Sequence, residues 1–470
     1  MKINGIDVDA TLKKVETVLS EEKGLPPAIR SMVELLVLLI TLLAKSLNLN
    51  SSNSSKPPSS DPNRKKVRKA KGDKKAGGQK GRVGITLQKV DEPDKIEVIK
   101  LDRKKLPPGK YKKAGYESRQ VFDIDISRIV TEYQAEILED SKGNQFVAPF
   151  PKGVTKAVQY GTSLKAHSVY MSQFQLIPYK RIQGYFREQL GIPVSEGSIY
   201  NFNQEAYGLL ATFEEKVKAK LAGSDLLHVD ETGINMNGDK RWLHCTSNGS
   251  WTYFFPHEKR GTDAMNAVGI LPKFRGILCH DHWKPYYKYD CTHALCNAHH
   301  LRELEGVWEE DKQQWAKDAK SLLEEMNRAV NDGGGLLETS ESEKYRQRYR
   351  SILKNAETEC PPPDETKRKG KRGRVKRTKA RNLLERLIEY ESDVLRFMDN
   401  KIVPFTNNLG ENDIRMTKVQ QKISGCFRSM DGAKIFCRIR SYLSTCRKQG
   451  VSSSQALEIL FRGELPDFAC

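Results

Sequence analysis

The spacing of hydrophobic residues in the first fifty positions predicts helix. Pro26 and Pro27 suit the first turn of a helix. Positions then recur in alternating steps of three and four residues, with Ser46 as the one polar occupant among the apolar residues Met32, Leu35, Leu39, Leu42 and Leu49. For residues 1–50 this spacing predicts either a short coiled coil that pairs two protomers or a helix that packs against the body of the protein.

Two segments of different character follow this helical region. Residues 51–84 are rich in Ser, Pro, Gly and Lys and offer almost nothing to bury, which is typical of a basic, disordered linker. Residues 85–155 contain short β-like runs separated by turn sequences, and they predict a small β-rich module. The runs are Ile96–Ile99, Val121–Ile124 and Ile129–Val130.

Residues 160–222 return to helical spacing, with a break in the middle. Tyr179–Leu190 reads as one helix, Gly191–Val194 as a turn, and Ser195 as the N-cap of the next helix. This layout is typical of a helix-turn-helix that binds DNA. A plain helical hairpin explains the same pattern equally well.

From residue 223 the pattern changes to α/β, and we expect this core to extend to residue 450. Four apolar runs bounded by turn signals indicate strands of a mixed sheet. They are 226–230, 242–246, 251–255 and 276–281. Helical spacing dominates again from about 300 to 400, which predicts a helical insertion within this core, and we treat residues 451–470 as a C-terminal tail.

Length and composition narrow the class of protein. A chain of 470 residues suggests about two to four domains. Its most apolar stretch, Met32–Ala44, is shorter than the ~20 residues of a membrane span and contains Glu34. The first 25 residues carry acids throughout and do not resemble a signal peptide. We therefore expect a cytoplasmic protein with no membrane partner.

Positive charge is concentrated in two runs. Residues 64–82 and 367–381 carry net charges of +9 and +10, which together equal the +19 of the whole chain. Such blocks repel themselves, stay extended and often bind polyanions, so they favour contact with nucleic acid over a solvated linker or a localisation tag. The candidate DNA-binding residues in the first run are Lys65, Lys66, Arg68 and Lys69.

Three acidic residues are candidates for metal-dependent chemistry. Asp230 and Asp281 each end a predicted strand, and a carboxylate beside an apolar strand must be solvated or bound to something positive, such as Mg²⁺. Glu231 would point to the opposite face if the strand continues. Glu411 would lie near the start of a helix after Asn407 and Asn408, where complementing the helix dipole is the alternative role. Asp413, two positions on, would face elsewhere.

The nine cysteines argue against a disulfide framework. None lies in the first 244 residues, their number is odd, and no Cys-x-x-Cys pair occurs. We expect most of them to be reduced and buried.

Several separated blocks of the sequence resemble the insertion sequence 66 family of bacterial DDE transposases, from Asn50 to about Gly450. The blocks are NSSKPPSSD (53–61), GGQKGRVGITL (77–87), HVDETG (228–233), KRWLH (240–244), RGILCHDHWKPYY (275–287), LCNAHHLREL (295–304) and VPFTNNLGENDIRMTKVQQKISGCFRS (403–429). The resemblance implies a ribonuclease-H-like core that holds Mg²⁺ or Mn²⁺ on a catalytic triad at Asp230, Asp281 and Glu411.

The reaction that the resemblance implies is cleavage at transposon ends followed by strand transfer into target DNA. Its partners would be double-stranded DNA, further copies of the chain and accessory proteins encoded by the element, and its location would be the nucleoid. Arg415, Lys418 and Lys422 follow Glu411 at helical spacing and either line the DNA backbone or form a solvated surface. A structure-specific endonuclease and a non-catalytic DNA-binding protein remain the alternative functions.

Metal-binding motifs of the family are only partly present. Cys296-x-x-His299 resembles a Cys-x-x-His signature of such transposases, and we assign it a role in supporting the core, because two ligands do not fill a tetrahedral zinc site. Many family members carry paired Cys-x-x-Cys motifs upstream, but residues 85–151 contain no cysteine. Arg82 and Ile85 stand where the family often has histidines. We therefore expect no zinc in the upstream module.

Overall fold

The computed structural model describes residues 2–3, 6–22, 24–48, 50–54, 61, 87–364, 375 and 377–469. Within these ranges the protein is mixed α/β, as expected, with a central five-stranded sheet surrounded by helices. The candidates Lys65, Lys66, Arg68 and Lys69 lie outside the described residues.

The N-terminal region is helical, as predicted. Two short strands, β1 (Lys2–Ile3) and β2 (Ile6–Asp7), pair antiparallel. They lead into α1 (Val8–Glu21) and then α2 (Pro27–Asn48). The apolar residues of α2 do not pack against the body of the protein: Met32 and Leu43 are 66% and 63% exposed. By length and composition α2 is the one helix among the described residues that could cross a membrane, and its apolar window includes the ion pair Arg30–Glu34 at 3.3 Å.

The linker predicted for residues 51–84 begins with an ordered turn. Asn50 and Asn53 are buried, and the Asn53 amide donates to Glu309 at 2.7 Å. Gly306 makes this approach feasible, because a Cβ there would lie 2.2 Å from the Asn53 carbonyl oxygen. The expectation of disorder is therefore wrong for residues 51–54, where the Asn and Ser side chains satisfy the turn's backbone groups.

The β-rich module predicted for residues 85–155 is largely not formed. Within residues 87–155, the part of this range that the structure describes, there is one short hairpin, in which β3 (Ile137–Glu139) pairs antiparallel with β4 (Gln145–Val147). The three runs expected as strands remain unpaired, and side chains such as Ile99, Val121 and Ile129 are about nine-tenths exposed. β-branched residues favour strands through packing on a half-buried surface, and this segment offers them no such surface.

The helices expected between 160 and 222 are present. They are α3 (Thr162–Val169), which continues into a π-helical turn, α4 (Tyr179–Leu190), α5 (Glu196–Leu209) and α6 (Ala211–Ala222). The break falls where predicted, with Gly191 in the left-handed region at φ 62°. Ser195 caps α5, because its hydroxyl accepts from the Ser198 amide at 2.9 Å.

The central sheet contains the four predicted strands and one more. In chain order the elements are β5 (Leu226–Met236), β6 (Asp239–Ser247), β7 (Thr252–His257), the helix α7 (Thr262–Val268), β8 (Ile277–His280) and β9 (Thr292–Leu295). The strand order is β7-β6-β5-β8-β9, with β5, β6 and β7 antiparallel and β8 and β9 parallel to β5.

The first predicted strand is longer than expected. Asp230 does not end β5, which continues to Met236 and turns into β6 through Asn237 and Gly238. Both turn residues have positive φ, at 50° and 97°, as an Asn-Gly hairpin turn requires. Asp230 therefore lies in the middle of a paired strand, opposite Cys245.

Helices form the rest of the core. Residues 297–399 carry α8 (Asn297–Asp311), α9 (Gln314–Asp332), α10 (Thr339–Glu359), α11 (Lys379–Glu389) and α12 (Glu391–Asp399), and they bury Trp315 and Tyr349 in a hydrophobic cluster of their own. Helices are thus present in the range where the helical insertion is predicted. Arg381, at the end of the second basic run, is buried against Glu357 and Glu385 rather than displayed on a free loop.

The last three helices pack on the sheet and on the helices before it. They are α13 (Asn408–Ser424), α14 (Met430–Lys448) and α15 (Ser453–Phe461). Ser441 on α14 accepts the Phe254 amide of β7 at 2.8 Å. The segment expected as a tail carries α15, whose Ala456, Leu457 and Leu460 are buried in the main hydrophobic cluster.

A pair of glycine substitutions tests the packing at the entry to β8. A Cβ on Gly276 would lie 2.5 Å from the Asp225 carbonyl oxygen, so Gly276→Ala should lower the free energy of unfolding by about 1–3 kcal/mol. Gly208 in α5 has open space around its Cα, and Gly208→Ala should be neutral or stabilise by up to about 1 kcal/mol. Thermal and denaturant unfolding of both variants would measure this, and equal effects in the two would contradict the close approach.

Candidate active site

Pairing of β5 with β8 brings Asp230 and Asp281 to the same level of the sheet. The two strands are parallel, with His228 opposite Cys279, so each aspartate lies two residues beyond this pair. Glu411 reaches the same region from the first turn of α13. The structure therefore brings the three predicted acids together, although they come from three distant parts of the sequence.

Burial and mutual repulsion dominate the electrostatics of this site. The pKa of Asp230 is raised well above its usual value, first by burial and then by the negative charges of Glu231, Asp281 and Glu411. One compensating contact within the protein is the Glu231 backbone amide, which donates to Asp230 Oδ1 at 2.9 Å. Clustered, partly buried carboxylate oxygens are a donor set that fits a hard divalent cation such as Mg²⁺ or Mn²⁺.

Glu231 has its own positive partner. Arg260 donates to Glu231 Oε1 from Nε at 2.9 Å and from Nη2 at 2.5 Å, and the Tyr286 hydroxyl donates to Oε2 at 2.5 Å. Burial, followed by the charge of Asp281, raises the pKa of Glu231. Arg260 in turn lies 4.2 Å from the ring centre of Trp283 and 4.9 Å from that of Trp242. Glu231 therefore forms an ion pair with Arg260, beside the acidic cluster of Asp230, Asp281 and Glu411.

Cys296 and His299 lie next to Glu411. The Glu411 Oε1 atom is 4.0 Å from Cys296 Sγ and 3.9 Å from His299 Nδ1, and among the described residues these three side chains are close enough to share a metal ion. In the absence of a metal ion, burial raises the pKa of the Cys296 thiol to about 11. The supporting role expected for this pair stays a prediction.

The basic residues that follow Glu411 have different environments. Arg415 and Lys422 are exposed on α13. Lys418 is half-buried, and its ammonium group donates to the Gly233 carbonyl oxygen at 3.0 Å. Burial lowers the pKa of Lys418, while the nearby charge of Asp230 opposes that shift. Lys418 therefore belongs to the surroundings of the acidic cluster.

Sequence reasoning missed several residues that surround the acids. From the sequence Asn407 is expected only to precede the helix that carries Glu411, yet its side chain lies 2.8 Å from the His228 ring. His228 lies in the HVDETG sequence near Asp230, and Asn407 lies in the TNNLGEN sequence near Glu411. This closeness in sequence is the signal that could have identified them as neighbours of the acids. Arg260 carries no local signal, because it lies outside these blocks and its partner Glu231 is 29 positions away. Tyr286 lies in the RGILCHDHWKPYY block, but its contact with Glu231, 55 positions away, needs the fold.

Comparison with known protein families agrees with this architecture. The family model Transposase IS66 family matches residues 157–435, which is more than half of the chain and includes all three acids. The protein belongs to the IS66 transposase family. A second model, a family of unknown function (DUF6444), matches residues 12–88. Among curated proteins, none matches the chain significantly.

The Arg260–Glu231 pair can be tested by substitution. Arg260→Ala would leave a buried carboxylate without its cation and should lower the free energy of unfolding by about 2 kcal/mol; the loss is reduced because the Arg260 side chain is 38% exposed. Adding Glu231→Gln to this variant should recover part of the loss.

Lys259 provides the matched control for this experiment. It is the preceding residue and forms an ion pair with Asp263 on the surface, so Lys259→Ala should not change stability measurably. Urea unfolding of the three variants gives the comparison. Wild-type stability of Arg260→Ala would show that Glu231 does not depend on this pair.

Proposed function

We propose that this transposase cuts DNA at transposon ends and joins the freed ends to target DNA, using divalent metal ions held by Asp230, Asp281 and Glu411. The observation that carries the proposal is the convergence of these partly buried acids; burial and the neighbouring negative charges raise the pKa of Asp230. Three antiparallel strands followed by two parallel ones, with acids on the central strand and after its parallel neighbour, support a ribonuclease-H-like core.

The proposed reaction has two phosphoryl-transfer steps. Water attacks a phosphodiester at the transposon end and releases a 3′-hydroxyl, which then attacks a phosphodiester of the target and displaces a target 3′-oxygen. Bound Mg²⁺ or Mn²⁺ would activate the attacking oxygen and stabilise the leaving one. Asp230, Asp281 and Glu411 would hold the ions, and the Trp283 amide, which donates to Asp281 Oδ1 at 3.1 Å, orients one of these carboxylates.

Helices α4 and α5 are the proposed DNA-reading unit. A buried network holds α5 in place: the Ser172 hydroxyl donates to Asn203 Oδ1 at 3.0 Å, and Asn203 Nδ2 donates to the Tyr179 hydroxyl at 3.1 Å. The opposite face of α5 exposes Asn201 and Gln204, whose amide groups suit base edges in a major groove. Exposed lysines and arginines, including Arg415 and Lys422, would contact phosphates.

The exposed apolar residues of α2 support a homo-oligomer. A helix of this length with Leu35 and Leu42 more than half exposed has an apolar face available for a second copy of the chain. Assembly of copies would bring two transposon ends together, and accessory proteins encoded by the element remain expected partners. We place this assembly in the cytoplasm, at the nucleoid.

Substitution of the central aspartate tests the proposed chemistry. Asp230→Ala should reduce cleavage and joining of a duplex that carries the terminal inverted repeat by at least about a thousandfold, because it removes a charge that positions the metal ions. Wild-type activity should require Mg²⁺ or Mn²⁺ and stop on chelation. Asp239→Ala removes an exposed acid of β6 and should retain activity.

Other outcomes separate the rival functions. Hydrolysed DNA without joined products would favour an endonuclease. Salt-sensitive binding without cleavage, equal in wild type and Asp230→Ala, would indicate a DNA-binding protein and refute the catalytic proposal.

A second substitution tests recognition by α5. Asn201→Ala should weaken binding to the terminal repeat by about 1–3 kcal/mol, the usual value of one amide–base contact, and leave binding to unrelated DNA unchanged. Gln189→Ala removes an exposed amide at the end of α4 and should affect neither. Titration of both DNAs at fixed salt measures the difference, and parallel losses on both would contradict base reading.

A further inference from the structure

Asn407 occupies the N-cap of the helix that carries Glu411, but its side chain does not cap that helix. An asparagine in this position usually accepts a hydrogen bond from an amide of the first turn, and here the side chain makes no such bond. It is 2% exposed and turned toward β5. This orientation requires an explanation other than helix capping.

The Asn407 amide bridges α13 to the strand that carries Asp230. Its Nδ2 donates to the Val229 carbonyl oxygen at 2.8 Å, and its Oδ1 accepts from His228 Nδ1 at 2.8 Å. Nδ2 is the atom that faces Val229, because the carbonyl oxygen of Val229 can only accept a hydrogen bond. Oδ1 then accepts the hydrogen bond of the His228 ring N–H. Both partners immediately precede Asp230 in the chain.

The backbone of Asn407 connects to the other two acids. Its N–H donates to Cys296 Sγ at 3.1 Å, and the Cys296 N–H donates to the carbonyl oxygen of His280, the residue before Asp281, at 2.9 Å. The carbonyl oxygen of Asn407 accepts a hydrogen bond from the backbone N–H of Glu411 at 3.1 Å. Through these bonds Asn407 is linked to the neighbours of all three acids.

Gly410 leaves the space that this arrangement needs. A Cβ on Gly410 would lie 3.2 Å from Asn407 Oδ1 and 3.3 Å from Nδ2, closer than ordinary contacts. The first turn of α13 is therefore shaped around the amide, which a capping role would not require.

We propose that Asn407 is a positioning residue that sets the spacing of Asp230, Asp281 and Glu411 for metal binding. The proposal rests on the proposed function of these acids. Groups outside the ligand shell that orient metal ligands typically change metal affinity by about 10–100-fold when they are removed, without contacting the metal. Asn407 would act in this way on three ligands at once.

Metal binding by the full-length protein tests the proposal independently of catalysis. In calorimetric titration with Mn²⁺, Asn407→Ala should bind about 10–100-fold more weakly than wild type. Cleavage of terminal-repeat DNA by the variant should need correspondingly more Mn²⁺ and recover at high concentration, and affinity for that DNA should not change. Asn408→Ala removes the next asparagine, which is exposed, and should match wild type in every measurement.

Asn407→Ser separates bridging from capping. Serine can cap a helix, but it is too short to reach β5. This variant should therefore also bind Mn²⁺ weakly. If Asn407→Ala does not fold, Asn407→Ser takes its place in the test. Wild-type Mn²⁺ affinity in either folded variant would overturn the proposal. Asp230→Ala distinguishes the two claims: if it loses Mn²⁺ binding and the Asn407 variants keep it, only the positioning role fails, whereas unchanged binding in Asp230→Ala refutes the proposed function itself.

Discussion

Asp230 lies within β5 and Asp281 directly follows β8, its parallel neighbour, so the two aspartates lie at the same level of the sheet, and Glu411 approaches them from the start of α13. Water cannot fully solvate these partly buried carboxylates, and the negative charges of Asp281 and Glu411 raise the pKa of Asp230 further. A fold keeps such a site only if something compensates the charge. Arg260 provides this compensation for Glu231, the acid next to Asp230 in the chain, and we propose that a divalent cation provides it for Asp230, Asp281 and Glu411.

Arg260 compensates the charge of Glu231. Glu231 is adjacent to Asp230 in the chain and is also buried, but Arg260 and Tyr286 occupy its oxygens. Among the described residues, the hydrogen bond that Asp230 accepts comes from a backbone amide, and the half-buried Lys418 bonds to a carbonyl oxygen instead. The difference between two consecutive acids thus comes from their partners, and it leaves Asp230 available as a ligand.

Local signals in the sequence predicted the parts of this structure that local interactions determine. The Ser195 cap, the end of α4 at Gly191 and the apolar strands of the sheet were all foreseeable from neighbouring residues. The apolar runs of residues 85–155 led to a wrong prediction of strands, because strand formation needs a partner surface that local sequence cannot reveal. The continuation of β5 beyond Asp230 depended on the Asn237-Gly238 turn, a signal that was present but not used. The clustering of the three acids was anticipated, whereas the Glu231–Arg260 pair and the Asn407 bridge join residues distant in sequence and needed the fold.

The position of a bound metal ion tests the central claim most directly. Crystals of the protein grown with Mn²⁺ and terminal-repeat DNA would show the ion by anomalous scattering. The account predicts a peak within coordination distance of carboxylate oxygens from both Asp230 and Asp281, with Glu411 completing the site. A peak held instead by Cys296 and His299, or an acidic cluster that stays empty at saturating Mn²⁺, would contradict it.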